Sequence, residues 1–428
     1  MLRQALQGYR QAARRPAFRR FWLGMMLSRA GDAFTVVALS WIVLGLAGPV
    51  QLGLVLMCFG LPRMASAPLA GHLLDRFRPG LLLAADNAAR GLLIAAVPVL
   101  LWQHRLTVAD LYGIAVACAL LSPMTEVAEA ALVPRLVADD HLDAANALLS
   151  ANWEVASIAG PAVAGLIVAT VGAPLALLLD AASFVVMAAI CLNLPSRPPA
   201  RRDVPTAGRR SRLGFGLLFR YPAVLVLTAC GSGMLFLDGV ATVLYPVYCR
   251  TFLHAGPAGY GALAAAAGAG ALLGVVAGPA LAGRLPPWLR ISVVIVAGAP
   301  LFGLLRFAPD LAVAAVLLGL ATFAWGPYYV FARTLMQRLV PDDVRGQAVG
   351  AQMTIASLGF PLGSAVGGVV ISGIGVPAVI AAIACSYLAL GLLPLLAPPL
   401  RATVEFTGGD RVTGEAWADR GRSGSTST

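Results

Sequence analysis

GHLLDRFRPG, residues 71–80, separates two long apolar stretches, LGLVLMCFGLPRMASAPLA before it and LLLAADNAARGLLIAAVPVLL after it. An aspartate, two arginines, a proline and two glycines are crowded into one turn. Each flank approaches the roughly 20 apolar residues that cross a bilayer. The segment reads as a polar hairpin between two membrane spans, and the rest of the chain repeats that unit.

The composition agrees. Of 428 residues, 59% are hydrophobic and 12% charged, whereas an ordinary soluble domain is about half apolar and a quarter charged. Twelve apolar runs stand between charged or Pro/Gly breaks: 20–46, 51–74, 81–102, 109–131, 144–170, 174–194, 221–248, 258–282, 291–307, 311–332, 347–373 and 376–397. The expected class is therefore an all-α membrane protein of twelve transmembrane helices. A net charge of +11 would suggest nucleic acid in a soluble chain, but all 31 basic residues are arginine and they cluster in alternate loops. Twenty-five fall on one side of the alternation and three (Arg105, Arg250 and Arg306) on the other, leaving Arg29, Arg63 and Arg90 inside runs. That asymmetry places both termini in the cytoplasm, and no nucleic-acid partner is expected.

Polar intervals divide the chain further. Residues 1–19 form a basic, acid-free lead-in, read as cytoplasmic rather than as a cleaved leader. Residues 20–194 are expected to be a first six-helix bundle, 195–220 a basic linker, 221–397 a second bundle and 398–428 a disordered tail. The two bundles resemble each other. RLVADD at 135–140 matches RLVPDD at 338–343, an offset of 203 that also carries Gly160 onto Gly363, Gly165 onto Gly368, Pro174 onto Pro377 and Ser183 onto Ser386. Parallel halves of this kind put a substrate site at their shared seam near the midplane, exposed alternately as the halves rock.

Twelve spans, a basic central linker and the spacing of Gly71, Asp75 and Arg76 resemble the major facilitator superfamily. LVPRLVADDHLDAANALLSANWEVASIAGPAVAG and LMQRLVPDDVRGQAVGA are similar to its macrolide-efflux and enterobactin-exporter-like branch. The resemblance implies a pseudo-symmetric two-bundle fold. It also implies a latch: Asp75 against the start of span 11 near Gly346, where a helix dipole favours an anion, and Arg76 on Glu129 or, second, Glu126. Gly71 is expected to let two helices approach closely. The plainer reading of the segment is a tight turn with inward positive charge. The second-half counterpart, AGRLPPWLR from Ala282, has no aspartate.

Ionisable groups inside spans are costly and mark candidate sites. Arg29 and Asp32 are three apart and share one helix face; Asp32 is a candidate proton carrier or half of a permanent pair with Arg29. Asp238 is the deepest acid of span 7, the counterpart of span 1, and Glu154 sits two turns into span 5. Arg63 is a candidate for a substrate anion or a snorkelling side chain. Asp86 and Arg90, four apart, suit a structural ion pair, and Asp180 has no evident partner. SIAGPAVAG, residues 157–165, resembles the antiporter motif of span 5 through Gly160, Pro161 and Gly165, with small residues for packing and a proline for a bend. Trp153 and Trp325 are candidate cavity aromatics.

Catalysis has little support. The sequence has no P-loop, no metal-ligand spacing and no polar catalytic domain; its six cysteines stand singly. The expected activity is proton-coupled efflux of a hydrophobic or amphipathic small molecule such as a drug, macrolide-like compound or siderophore. No cofactor is expected, the energy source being the proton gradient. A monomer in the bacterial inner membrane is expected. The alternatives are an importer or facilitator on the same fold, or a membrane scaffold or sensor that moves nothing.

Overall fold

The computed structural model describes residues 9–194, 216, 222–282, 285–340 and 342–396. The linker and tail, 195–220 and 398–428, lie outside the described residues apart from residue 216. Among the described residues the regular structure is helical, and the twelve spans run in order as α1 to α12. In the first half these are α1 Pro16–Leu46, α2 in two pieces Gly48–Gly60 and Arg63–Arg76, α3 Pro79–Trp102, α4 in two pieces Val108–Leu121 and Pro123–Leu136, α5 Leu142–Val171 and α6 Ala173–Leu192. The second half contains α7 Pro222–Thr251, α8 Gly256–Ala282, α9 Pro287–Gly303, α10 as Leu311–Trp325 and Tyr328–Leu339, α11 as Asp342–Ser357 and Gly359–Ile374, and α12 Val376–Leu396. Eleven are long and apolar enough to cross a membrane, and α5 adds a twelfth as a pair of segments bent by 40°.

Local chemistry explains where the spans begin and break. Proline opens α1, α3 and α9 at the first turn, where its missing N–H costs nothing. In the opening segment α2 ends at Arg76, Phe77 and Arg78 are extended, and Pro79 starts α3. Asp310 caps α10 by accepting from the Val313 N–H at 2.9 Å, and Thr107 with Asp110 forms a capping box on α4. The bend in α5 falls between Ala156 and Ile158, one turn before Pro161, which has no N–H to give the carbonyl four residues back. Pro361 stands likewise after the break in α11 at Leu358.

These irregularities repeat with the sequence. The offset of 203 carries Ser122, at the break in α4, onto Trp325, at the break in α10. It also carries Gly172, which ends α5 at φ 90°, onto Gly375, which ends α11 at φ 78°. Duplication is therefore visible in backbone geometry as well as in residue identity.

α1 packs on α5 and α6, and α3 on α6; in the second half α7 packs on α11 and α12, α8 on α10, and α9 on α12. The two bundles meet along α5 with α8 and α2 with α11. Lipid gives little apolar drive for helices to associate, so close backbone contact carries the seam. A Cβ built on Gly165 would lie 2.7 Å from the Gly261 Cα, and one on Gly368 would lie 3.0 Å from the Val50 Cα. Both contacts sit away from the arginine-rich face. On the arginine-rich face a Cβ on Gly71, Gly346 or Gly350 meets nothing within 4 Å, and Met353 is 67% exposed. The seam is shut on one side and parted on the other.

Candidate functional site

α1 is central: besides its own bundle it touches α7 and α8 of the other half. Polar side chains of α1, α3, α4 and α6 gather there in three hydrogen-bonded groups. Arg29 donates to Glu129 Oε2 of α4 at 3.0 Å, and its guanidinium stacks over the Trp153 ring of α5, 4.9 Å from the centroid. Arg90 of α3 donates to Asp86 Oδ2 at 2.9 Å and to Thr125 Oγ1 at 2.7 Å, and Thr125 in turn donates to Asp86 Oδ2 at 2.7 Å. Asp180 of α6 is fully buried. Thr35 Oγ1 of α1 donates to its Oδ2, and Ser183 Oγ to its Oδ1 at 3.3 Å. Gly31 makes this possible, because a Cβ there would lie 2.6 Å from Ser183 Oγ and overlap the Asp180 carboxylate.

Asp32 is exposed, yet its charge neighbours are Arg29, Arg90, Asp86 and Asp180. An accessible carboxylate on a central helix, among charges from two other helices, faces an internal opening rather than the perimeter. Asp238 of α7 is exposed in the same way. Its surroundings differ: Tyr245, Tyr260, Tyr329 and Tyr387 lie within its electrostatic reach. The first half thus presents a charged network and the second a single acid among tyrosines.

Several sequence expectations need correction. Arg29 does not pair with Asp32 but with Glu129, because the long guanidinium arm reaches the neighbouring helix. The expected partners of Arg76 are taken: Glu129 by Arg29 and Glu126 by Arg63. Arg76 itself is exposed on the arginine-rich face. Arg63 is accordingly part of an exposed ion pair. Gly71 mediates no close helix approach, and Gly346 faces open space, as the parted seam requires; the Asp75 side chain lies outside the described residues. Trp325 is 9% exposed. Its indole N–H donates to the Ile295 carbonyl at 3.0 Å, and its ring stacks on Tyr387 at 4.1 Å, so it is core rather than cavity wall.

Other candidates are accessible. Trp153 is 60% exposed, and Glu154 beside it is exposed too. Gly160 faces Ala33 of α1, while Gly165 and the Pro161 carbonyl face Gly261 of α8. Asp86 and Arg90 form the local pair that their spacing suggests. Thr35, Thr125 and Gly31 gave no signal in the sequence, where hydroxyls and glycines are unremarkable inside spans. Asp180 did give one, a lone acid in an apolar run, but its partner Thr35 is 145 residues away.

Comparisons with known proteins agree with this architecture. The sequence profile described as the Major Facilitator Superfamily matches residues 21–361. The multidrug efflux pump Tap of Mycobacterium tuberculosis is 28% identical over 409 residues, spanning 92% of this chain and 96% of the relative. The enterobactin exporter EntS of Citrobacter koseri is 25% identical over 372 residues, 84% of this chain and 85% of that protein. Among solved structures, a bacterial homologue of the iron transporter ferroportin in an inward-facing state superposes with a TM-score of 0.70 at 17% identity, covering 89% of this chain and 98% of that one.

Proposed function

The chain belongs to the Major Facilitator Superfamily, and from that premise we propose that it is a proton-coupled exporter of hydrophobic or amphipathic small molecules. The observation that carries this reading is the pair of accessible carboxylates, Asp32 and Asp238, on the equivalent central helices α1 and α7. Membrane-depth acids without a role are removed by their own cost. Two of them, exposed inside a bundle sealed on one side, suit a cavity that changes access.

Arginine asymmetry makes the parted face cytoplasmic, with both termini on that side of a bacterial inner membrane. The arrangement then loads from the cytoplasm, as an exporter must. Rocking about the α5–α8 and α2–α11 seams would close that face and open the other. Asp32 exchanges protons with the cavity, and Trp153 and Glu154 line its entrance. In the turned state Asp75 would meet the start of α11, where a helix dipole favours an anion, and Arg76 would reach Glu129 or Glu126 of α4. The relatives named as efflux pumps and exporters support the outward direction.

The test is accumulation of a chemically diverse compound panel in cells making wild type or Asp32→Asn, with and without a protonophore. Wild type is expected to lower accumulation of at least one compound class, and both the protonophore and Asp32→Asn to abolish the effect. Raised accumulation in wild-type cells would mean uptake and overturn the proposal.

A further inference from the structure

Among the described residues, the charge balance around α1 leaves two carboxylates without a salt-bridged cation. Six ionisable side chains of α1, α3, α4 and α6 make up the network: Arg29 and Arg90 are cationic; Asp32, Asp86, Glu129 and Asp180 are acidic. Arg29 is committed to Glu129 at 3.0 Å and Arg90 to Asp86 at 2.9 Å. The further pair, Arg63 with Glu126, is internally balanced. Asp32 and Asp180 remain, each within the other's electrostatic reach. Among the described residues the other titratable neighbours include the buried thiols of Cys118 on α4 and, beside Asp86, Cys191 on α6.

The two acids have opposite access. Asp32 is exposed to the internal opening, whereas Asp180 is fully buried, held between Thr35 and Ser183, with no cation in salt-bridge contact among the described residues. Asp86 is 2% exposed, and its Oδ1 and the Arg90 Nε have no hydrogen-bond partner among the described residues; the guanidinium nitrogen that does donate is spent on Asp86 and Thr125. Four carboxylates beside two guanidiniums leave this cluster with two negative charges in excess. Asp32 and Asp180 have no salt bridge among the described residues, so in a low dielectric they do not both stay ionised; they share protons as a unit.

We propose that Asp32 and Asp180 form a carboxyl pair in which Asp180 stores a proton and Asp32 is the port through which it is exchanged. A proton passes from cavity water to an Asp32 oxygen, and from there to an Asp180 oxygen directly or through the Thr35 hydroxyl, which donates one proton as it accepts another. No other bond changes. The inference rests on the transport reading above and extends it from an accessible acid on α1 to a buried one on α6.

Infrared spectroscopy of the full-length protein in lipid nanodiscs tests this without a transport substrate. At neutral pH wild type should show the carbonyl stretch of a protonated carboxylic acid. Asp180→Asn should remove that band, Asp238→Asn should leave it, and Asp32→Asn should displace the midpoint of its titration. Asp180→Asn should also keep the wild-type melting temperature, because an amide replaces a neutral acid of the same shape, while Asp180→Ala should lower it. A band that survives Asp180→Asn overturns the proposal, and so does an Asp180→Asn protein that fails to fold. Ethidium efflux from energised vesicles separates the two ideas. Asp180→Asn should slow gradient-driven efflux by about a hundredfold, the loss expected of a positioned proton-transfer group. Wild-type efflux that ignores the gradient would defeat the coupling reading while the infrared result still decides the protonation of Asp180.

Discussion

Gly165 of α5 and Gly261 of α8 meet backbone to backbone across the two halves: a Cβ added to Gly165 would sit 2.7 Å from the Gly261 Cα and 2.7 Å from the Pro257 carbonyl. This contact belongs to the closed side of the seam. Its counterpart is Gly368 of α11 against Val50 of α2. Side chains larger than hydrogen would hold the bundles apart there.

Gly165→Leu should therefore bias the protein away from the state described here. Overpacking costs about 1–3 kcal/mol, which shifts a two-state balance about 5- to 150-fold. Thiol labelling of single cysteines placed on the two faces should show the arginine-rich face protected and the other face more reactive. Unchanged labelling would mean that the contact does not control access.

Arg29 and Glu129 are both mostly buried, so removing one partner strands the other. Arg29→Ala or Glu129→Ala should each lower stability by about 3–5 kcal/mol. The double variant should lose less than the sum. Thermal unfolding in detergent reads the difference; strict additivity would show that the pair is not coupled.

Trp325 and Trp153 should behave differently despite similar chemistry. Trp325→Phe loses the bond to the Ile295 carbonyl and should cost about 1–3 kcal/mol of stability without changing which compounds are exported. Trp153→Ala should change the compound profile, because its ring is exposed beside Arg29. The same accumulation panel, together with melting curves, measures both.

Asp238→Asn should weaken efflux of ethidium and other organic cations more than efflux of neutral compounds. Four tyrosines lie within its electrostatic reach and Tyr329 among them is exposed, so a cation gains from the carboxylate and from a ring face. Equal loss across cationic and neutral compounds would count against a cation-recognising role.

Gly31→Ala should destabilise by about 1–3 kcal/mol, since the new methyl would strike the Asp180 carboxylate and Ser183 Oγ. Cutting back the neighbour with Ser183→Ala should restore part of the loss. Melting temperatures of the single and double variants check this.

The twelve spans, the arginine-rich face and the repeat at an offset of 203 were legible in the chain itself. Hydropathy over about 20 residues, loop charge and internal similarity are local, and lipid allows few alternatives to a helix for such a run. The pair Asp86 and Arg90 was equally readable, because four residues on one helix bring side chains together. What spacing could not decide was which cation meets which acid. Arg29 shares a helix face with Asp32 but binds Glu129, 100 residues on, and Asp180 depends on Thr35, 145 residues away. Those partnerships follow from how α1, α4 and α6 pack and from the room Gly31 leaves between them. Long side chains choose the nearest opposite charge in space, and only the tertiary structure decides which one that is.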